Sequence, residues 1–454
     1  MKSLRMSLFS FNFAAMDLEK LFSKLGITAL NAMQEEAYDT IAHTGKDVVL
    51  LSSTGSGKTL AYLLPLVELL DAADPSVQAL VITPGRELAL QSSKVMDTMS
   101  TGLRSMACYG GRATMDEHRV IRQKLPQVIF GTPGRLNDHL DKSNISADHI
   151  RFLVIDEFDK CLEMGFHDEM SRLLAKLPAL QRRFLLSATD AEQIPHFVQL
   201  TKAVHLDFLV PEEQVSERVT LYEVRSETKD KLEALDCLLR QLGGGQSIVF
   251  LNYRDSVDRV DDFLRHRGYA TSAFHGGMEQ KAREDALYKF SNGSANVFVS
   301  TDLASRGLDI PDIQHIIHYH LPQGEDGYVH RVGRTARWDK TGKSYFLLGP
   351  EETMPEFVEG EVVNYPLSKD ERPVPVPPMS TLYIGKGKKD KISKGDIVGF
   401  LCKKAEIGSG DIGRIDVNDR YTYVAVSRAK VRHVLRLVQG EKIKGIRTVI
   451  EPVK

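Results

Sequence analysis

The chain predicts an α/β fold of two tandem parallel-sheet domains followed by a separate basic module, and three observations carry that reading. Short apolar runs rich in β-branched residues alternate with helix-like stretches from about residue 45 onward, as strands joined by crossover helices do. The alternation pauses once, at "LDFLVPEEQVSER" (206–218), and a Pro-rich stretch, "ERPVPVPPMS" (371–380), follows it as a stiff spacer. From Thr381 to the end there are 17 Lys and Arg against 8 Asp and Glu, whereas the residues upstream carry 42 against 53. That asymmetry suggests a tail that meets a polyanion.

The expected strands of the first domain are "DVVLL" (47–51), "ALVIT" (79–83), "QVIFG" (127–131), "RFLVID" (151–156) and "RFLLS" (183–187). Those of the second are "SIVFL" (247–251), "NVFVS" (296–300), "HIIHY" (315–319) and "SYFLL" (344–348). The expected boundaries are 1–208, a linker 209–216, 217–368, a linker 369–380, and 381–454. No apolar run reaches the roughly 18 residues that span a bilayer. The start, "MKSLRMSLFSFNFAAMDLEK", loosely mimics a signal peptide, but Ser7, Ser10 and Asn12 interrupt it and no A-x-A site follows. Cys108, Cys161, Cys237 and Cys402 are scattered and form no CxxC, which argues against a disulfide framework or zinc site and for the cytoplasm.

The strongest local signal is "SSTGSGKT" (52–59), between an apolar strand and the helix-like "LAYLLPLVELL". Ser53, Thr54, Gly55, Ser56 and Gly57 form a loop whose amides and following helix N-terminus cradle phosphates. Lys58 would reach the β/γ-phosphates of a nucleotide and Thr59 would ligate Mg²⁺. Ser52 stands where the strict pattern has Gly. About 100 residues on, "FLVI" ends in Asp156 and Glu157. Asp156 is placed to hold Mg²⁺ through water and Glu157 to orient or deprotonate the attacking water. Positive charge for the transition state is offered by "HRVGRTAR" (330–337), with Arg331, Arg334 and Arg337.

In order, these motifs resemble the DEAD-box RNA helicases of the second helicase superfamily, P-loop NTPases with two RecA-like domains, over roughly residues 9–350. The resemblance also rests on "MQEEA", "TPGRELALQ" (83–91), "YGG" (109–111), "TPGR" (132–135), "DEFD" (156–159), "SAT" (187–189), "HGGMEQ" (275–280) and "TDLASRGLD" (301–309). It implies that Gln34 reads adenine, Asp309 contacts the ribose, and Arg334 and Arg337 sense the γ-phosphate. It implies that Ser187 and Thr189 couple ATP to RNA through Asp159 and His330. It implies RNA-backbone contacts by Arg86, Gly111, Thr132 and Arg135 in the first domain, and by Gly277 and Thr301 in the second. Such contacts carry no base code, so RNA is gripped by shape and 2′-OH groups.

Departures from the family pattern are Ile27 in place of an aromatic, Leu30 in place of Pro, Gly85 in place of Thr, Ala336 in place of Gly and Phe158 in place of Ala. Phe9, Phe11 and Phe13 compete for the upstream aromatic position. Phe158 is expected to fill space on an extended strand end, pointing away from the phosphates.

The tail offers "TLYIGKG" (381–387) and "DRYTYVAVS" (419–427), spaced as strands one and three of an RRM, a small α+β fold. Tyr383, Tyr421 and Tyr423 occupy positions that stack bases in RRMs, although such aromatics serve equally often as core. Together with "GDIVGFL", "DIGRIDV" and "KIKG", the tail is similar to the C-terminal RNA-binding domain of DbpA-type bacterial helicases. That resemblance implies recognition of a large-subunit rRNA hairpin in a pre-ribosomal particle. The expected phosphate-binding face comprises Lys386, Lys388, Lys389, Lys403, Lys404, Lys442 and Lys444. The expected function is ATP-dependent opening of short RNA duplexes in large-subunit assembly, without DNA or membrane partners. An ATP-gated RNA clamp with little turnover is the alternative.

Overall fold

The computed structural model describes residues 18–53, 55–111, 114–189, 194–209, 219–302, 313–335, 342–368 and 372–453. Phe9, Phe11, Phe13, Thr54, Asp309, Ala336, Arg337 and most of the linker expected at 209–216 lie outside the described residues. The chain divides into two compact units at about residue 211.

The first unit is built on a seven-stranded sheet: β1 (Val48–Ser52), β2 (Ala79–Ile82), β3 (Ser105–Cys108), β4 (Val128–Gly131), β5 (Phe152–Ile155), β6 (Arg182–Ser187) and β7 (Val204–Phe208). Every pairing is parallel and the order is β3-β4-β2-β5-β6-β1-β7. β1, β2, β4 and β5 are buried at every position, as expected for strands covered by helices on both faces. One face packs Val48, Leu50, Val81, Val154 and Leu186 with Tyr62 and Leu63 of the helix Lys58–Leu69. The other packs Val49, Leu80, Leu153 and Leu185 with Phe158 and Met170. The first residues of the expected pause, Leu206, Asp207 and Phe208, belong instead to β7, which pairs with β1.

The second unit repeats this order. Its strands are β8 (Val219–Arg225), β9 (Ser247–Leu251), β10 (Thr271–Phe274), β11 (Val297–Thr301), β12 (His315–His318), β13 (Gly342–Leu348) and β14 (Val362–Asn364). They lie as β10-β11-β9-β12-β13-β8-β14, again all parallel. The unit also contains the basic module: β15 (Met379–Ile384), β16 (Ile412–Val417), β17 (Thr422–Ser427), the hairpin β18 (Lys442–Ile443) and β19 (Ile446–Arg447), and β20 (Ile450–Pro452). Its antiparallel sheet has the order β16-β17-β15-β20, which is two-three-one-four in its own strands, as in an RRM. One face buries Leu382, Ile384, Val424 and Val426 against Ile397 and Leu401 of the helix Lys394–Lys404. That helix opens on a Ser393–Asp396 capping box.

Among the described residues, no helix is long and apolar enough to cross a membrane.

Candidate active site

Three motifs converge at the carboxyl ends of neighbouring strands β5, β6 and β1. After β1 the chain turns through Gly55 (φ 83°) and Gly57 (φ 89°), left-handed conformations that glycine adopts without steric cost. Gly57 has a second constraint: a Cβ there would lie 2.4 Å from Gln34 Nε2. The helix Lys58–Leu69 begins without a side-chain cap, so its first amides are directed at the loop. The Lys58 ammonium is buried and donates to the carbonyl of Ser52 and, at 2.9 Å, to that of Ser53. Ser53, Gly55, Ser56, Gly57, Lys58 and Thr59 thus lie on one strand–loop–helix turn.

Gln34 anchors this loop. Asn31 caps the helix Ala32–His43, and the Gln34 side chain accepts from the Asn31 amide at 3.0 Å. Gln34 Nε2 donates to Gly57 O at 3.2 Å, and Asn31 Nδ2 donates to Ser56 O at 3.0 Å. Asn31 was not singled out from the sequence, although the capping-box spacing "NAMQ" was there to be read. Ile27 and Leu30, the two departures nearby, pack against the first core.

β5 ends at Ile155. Asp156 is 3% exposed and its amide donates to Ile82 O at 2.9 Å. The Tyr62 hydroxyl donates to Asp156 Oδ2 at 3.4 Å. Burial, then the Glu157 carboxylate, pushes the Asp156 carboxyl up to about 7, against the opposing pull of Lys58. Glu157, also buried, is left-handed (φ 51°, ψ 54°) and turns the chain into the helix Phe158–Glu163. Phe158 therefore opens a helix rather than extending a strand, because Glu157 reverses the backbone first. It is 1% exposed and packs in the second-face core, as its expected space-filling role requires.

Ser187 ends β6, and its hydroxyl donates to Thr189 O at 2.6 Å. The Thr189 hydroxyl donates to Asp159 Oδ2 at 3.4 Å, so the expected link between "SAT" and "DEFD" is present. Ser187 bonds within its own turn instead. His330, the other expected coupling residue, lies in the second unit on the helix Glu325–Val332.

The expected RNA-contacting residues of the first unit lie on two loops. Arg86 begins the helix Arg86–Met99 behind an uncapped Gly85. Its guanidinium packs on Gly111 (φ 93°), where a Cβ would lie 2.7 Å from Nη1. Thr132 caps the helix Pro133–Asp141 by its backbone, and Arg135 sits on its first turn. In the second unit Thr301 ends β11, and the Gly277 amide donates to His275 Nδ1 at 3.2 Å. Arg334 is 3% exposed.

Arg331, the remaining arginine of that motif, has a structural role that sequence spacing did not show. It is 1% exposed and pairs with both carboxylate oxygens of Asp302, at 2.5 and 2.7 Å. It also donates to Asn252 Oδ1 at 2.9 Å and His320 O at 2.6 Å, tying together the segments that follow β9, β11 and β12.

The tyrosines of the module depart from expectation. Tyr383, Tyr421 and Tyr423 share one face of β15 and β17, but that face packs on the helix Gln280–Ser291 of the second sheet. The Lys281 ammonium lies 4.6 Å from the Tyr421 and Tyr423 ring centroids and 5.1 Å from that of Tyr383. Tyr421 donates to Glu284 at 2.7 Å, and the Tyr423 hydroxyl meets Asp285 and Lys281. The Tyr288 ring stands 4.6 Å from that of Tyr423. Tyr423 is 2% exposed. In this arrangement the Lys281 ammonium lies over all three rings, Tyr288 packs on that of Tyr423, and Tyr383 and Tyr421 are half-buried. Lys403 and Lys404, by contrast, are exposed at the end of the helix Lys394–Lys404. The hairpin β18–β19 lies alongside: Lys404 pairs with Glu441 at 3.0 Å and Lys444 with Asp396 at 2.9 Å.

The chain is similar to known proteins over most of its length. Residues 31–196 match the DEAD/DEAH box helicase family, 230–339 the helicase conserved C-terminal domain, and 381–452 the DbpA RNA binding domain. The ATP-dependent RNA helicase DbpA of Escherichia coli (strain K12) is 34% identical over 93% of this chain and 94% of its own. Its counterpart in Bacillus subtilis (strain 168) is 31% identical over 94% and 96%. The solved structure of S. cerevisiae Dbp5 bound to RNA and ADP BeF3 superposes with a TM-score of 0.68. It is 25% identical over 78% of this chain and 94% of that one.

Proposed function

The chain belongs to the DEAD-box ATP-dependent RNA helicases with a DbpA RNA-binding domain, and on that basis we propose that it opens short RNA duplexes during large-ribosomal-subunit assembly, addressed there by its C-terminal module. What supports the catalytic half is the convergence of Lys58, Thr59, Asp156 and Glu157 at the carboxyl ends of β1 and β5. The donor set fits Mg·ATP: a buried carboxylate whose ionisation burial opposes, beside a buried ammonium and uncapped helix amides.

In this reading Thr59 and, through water, Asp156 would hold Mg²⁺, which would supply positive charge for the phosphates. Lys58 leaves the Ser52 and Ser53 carbonyls for phosphate oxygens. Glu157 receives the proton of the attacking water. Arg334 and Arg337 stabilise the charge of the transferring phosphoryl group, Asp309 contacts the ribose, and Gln34 reads adenine next to the loop it anchors. Arg86, Gly111, Thr132, Arg135, Gly277 and Thr301 hold the RNA backbone.

The observation that carries the ribosomal address is the DbpA-type module with its exposed basic edge. Because the tyrosine face is covered, we assign the address to Lys403, Lys404 and Lys442 beside the hairpin β18–β19. RNA-stimulated phosphate release, compared between large-subunit rRNA and an unrelated RNA of equal length, tests it. Lys403→Glu combined with Lys404→Glu is expected to remove the rRNA preference and leave stimulation by the unrelated RNA within about twofold. A double variant that keeps its preference places the address elsewhere.

A further inference from the structure

We propose that Glu117, which no motif contains, is a positioning residue that ties together the two RNA-contacting loops of the first domain, 109–111 and 132–135. The proposal rests on the reading of those loops as RNA contacts.

Glu117 lies on the first turn of the helix Thr114–Lys124 and is 4% exposed. Its two carboxylate oxygens serve different loops. Oε1 accepts from the backbone amide of Tyr109 at 3.2 Å, immediately before Gly110 and Gly111. Oε2 lies 2.8 Å from His139 Nε2 and 3.6 Å from Arg135 Nε, both on the helix that opens at Thr132. His139 is fully buried, and its Nδ1 lies 3.2 Å from the amide nitrogen of Asn144. That nitrogen is a donor, so Nδ1 accepts and Nε2 carries the hydrogen toward Glu117. Arg135 is held from its other side by Thr114 Oγ1 and by Asp138, at 3.6 Å. Beyond Tyr109, Gly111 seats the Arg86 guanidinium. One buried carboxylate therefore links Arg86, through the 109–111 loop, to Arg135.

Two alternatives lose on physical grounds. A buried carboxylate is costly unless paired and fully hydrogen-bonded; this one is bonded to groups from both loops, which a purely apolar filler would not arrange. Cys108, Glu117 and His139 are near enough together to ligate a metal. Both His139 nitrogens, however, are already engaged, Nε2 toward Glu117 and Nδ1 toward Asn144, and the Arg135 guanidinium faces the carboxylate.

Glu117→Gln in the full chain keeps the size and the acceptor for the Tyr109 amide but removes the charge that faces Arg135. It is expected to raise the apparent KM for RNA about tenfold, with kcat at saturating RNA and the KM for ATP within about twofold. A merely structural role would lower Tm and leave the KM for RNA unchanged. Arg86→Ala is the reference for direct contact. If Arg86→Ala raises the KM for RNA and Glu117→Gln does not, the positioning role is overturned. If neither raises it, the loops are not the RNA face. Should Glu117→Gln fail to fold, His139→Phe removes the donor to Oε2 without altering either loop. It is expected to raise the KM for RNA at least threefold, with His139→Gln restoring it; an unchanged KM overturns the proposal.

Discussion

The two parallel sheets have the same strand order position by position, yet only the first has a glycine-containing loop after its first strand and paired acids after its fifth. The counterpart of β1 is β8, and each runs into a loop, a buried lysine and a helix. In the first unit the loop contains Gly55 and Gly57, and Lys58 is held by the carbonyls of Ser52 and Ser53. In the second, "SETKDK" (226–231) has no glycine and is closed by bonds between Ser226 and Thr228. Lys231, 3% exposed, donates to Leu347 O at 2.9 Å and Glu352 Oε2 at 2.7 Å. The chain's own carboxylate thus takes the place of an anion, in a cavity of about 160 Å³ lined also by Arg259, Tyr319 and His320. The strand two places away differs as well: β5 runs into Asp156 and Glu157, its counterpart β12 into Tyr319 and His320. Topology provides a strand–loop–helix turn twice; glycine in the loop and acids two strands away set the first apart, and it is the one that serves phosphate in the proposed function.

The largest expected effect breaks that comparison if it fails. Lys58→Ala is expected to lower RNA-stimulated phosphate release at least about 100-fold, as loss of a transition-state donor does. Glu157→Gln should do the same by removing the base. Lys231→Met, at the corresponding position, should leave kcat and the KM for ATP within about twofold and lower stability by about 1–3 kcal/mol, since it deletes a buried hydrogen-bonded ammonium. Steady-state kinetics beside urea denaturation measure both. If Lys231→Met proves as dead as Lys58→Ala while still folded, the second lysine is not a sealed counterpart.

A smaller effect on turnover sharpens the division at the end of β5 between chemistry and packing. Asp156 and Glu157 face the loop, whereas Phe158 is packed with Ile155, Cys161 and Met170. Phe158→Ala is expected to cost about 3–5 kcal/mol through the cavity it leaves, yet keep kcat within about threefold at a temperature where the protein stays folded. A folded Phe158→Ala protein without activity would give this side chain a role beyond packing.

The strands that the sequence displayed are the central ones. All five first-domain runs and all four second-domain runs became strands buried on both faces or nearly so, where a continuous apolar run is the physical requirement. β3, β7, β10 and β14 went unseen, and each is at a sheet edge. β8, next to the edge, buries only Val219, Leu221 and Val224, and β7 buries only Leu206. Edge strands need fewer apolar residues, so their signal is weaker. At the site, Lys58, Asp156 and Glu157 were legible because glycines and acids at fixed offsets have few other uses. Glu117 and Arg331 were not, because their partners are distant in sequence: Glu117 meets Arg135 and His139, and Arg331 meets Asp302 and Asn252. The tyrosines Tyr383, Tyr421 and Tyr423 were legible as one sheet face, but the helix that covers it carries no mark of that role in its sequence.

The comparison also predicts opposite responses to acid. In the second sheet His315 is 8% exposed, and burial, with Lys343 second, pushes it down to about 4. His318 is fully buried in the same strand and is held well below its ordinary value by burial and then Arg331. Its Nδ1 lies 3.2 Å from Arg331 Nη1, and its Nε2 lies 2.9 Å from Ser344 Oγ. Both are neutral in the folded state, so stability is undiminished above the unfolded value near 6.5 and is lost as pH falls from there toward 4. For His315 the full loss is about 3 kcal/mol, of which about 1 falls between pH 6.5 and 5.5. Asp156 has the reverse sign: its raised value penalises the ionised form above about 7, and the penalty is relieved as pH falls toward 3.8. Hydrogen exchange at pH 7.0 and 5.5, corrected for intrinsic rates, should therefore show protection falling first in peptides from β12 and β13, with β5 and β6 lagging. His315→Asn should narrow the gap between the two sheets. Equal losses, or earlier loss in the first sheet, would mean that the buried histidines do not set the acid response of the second.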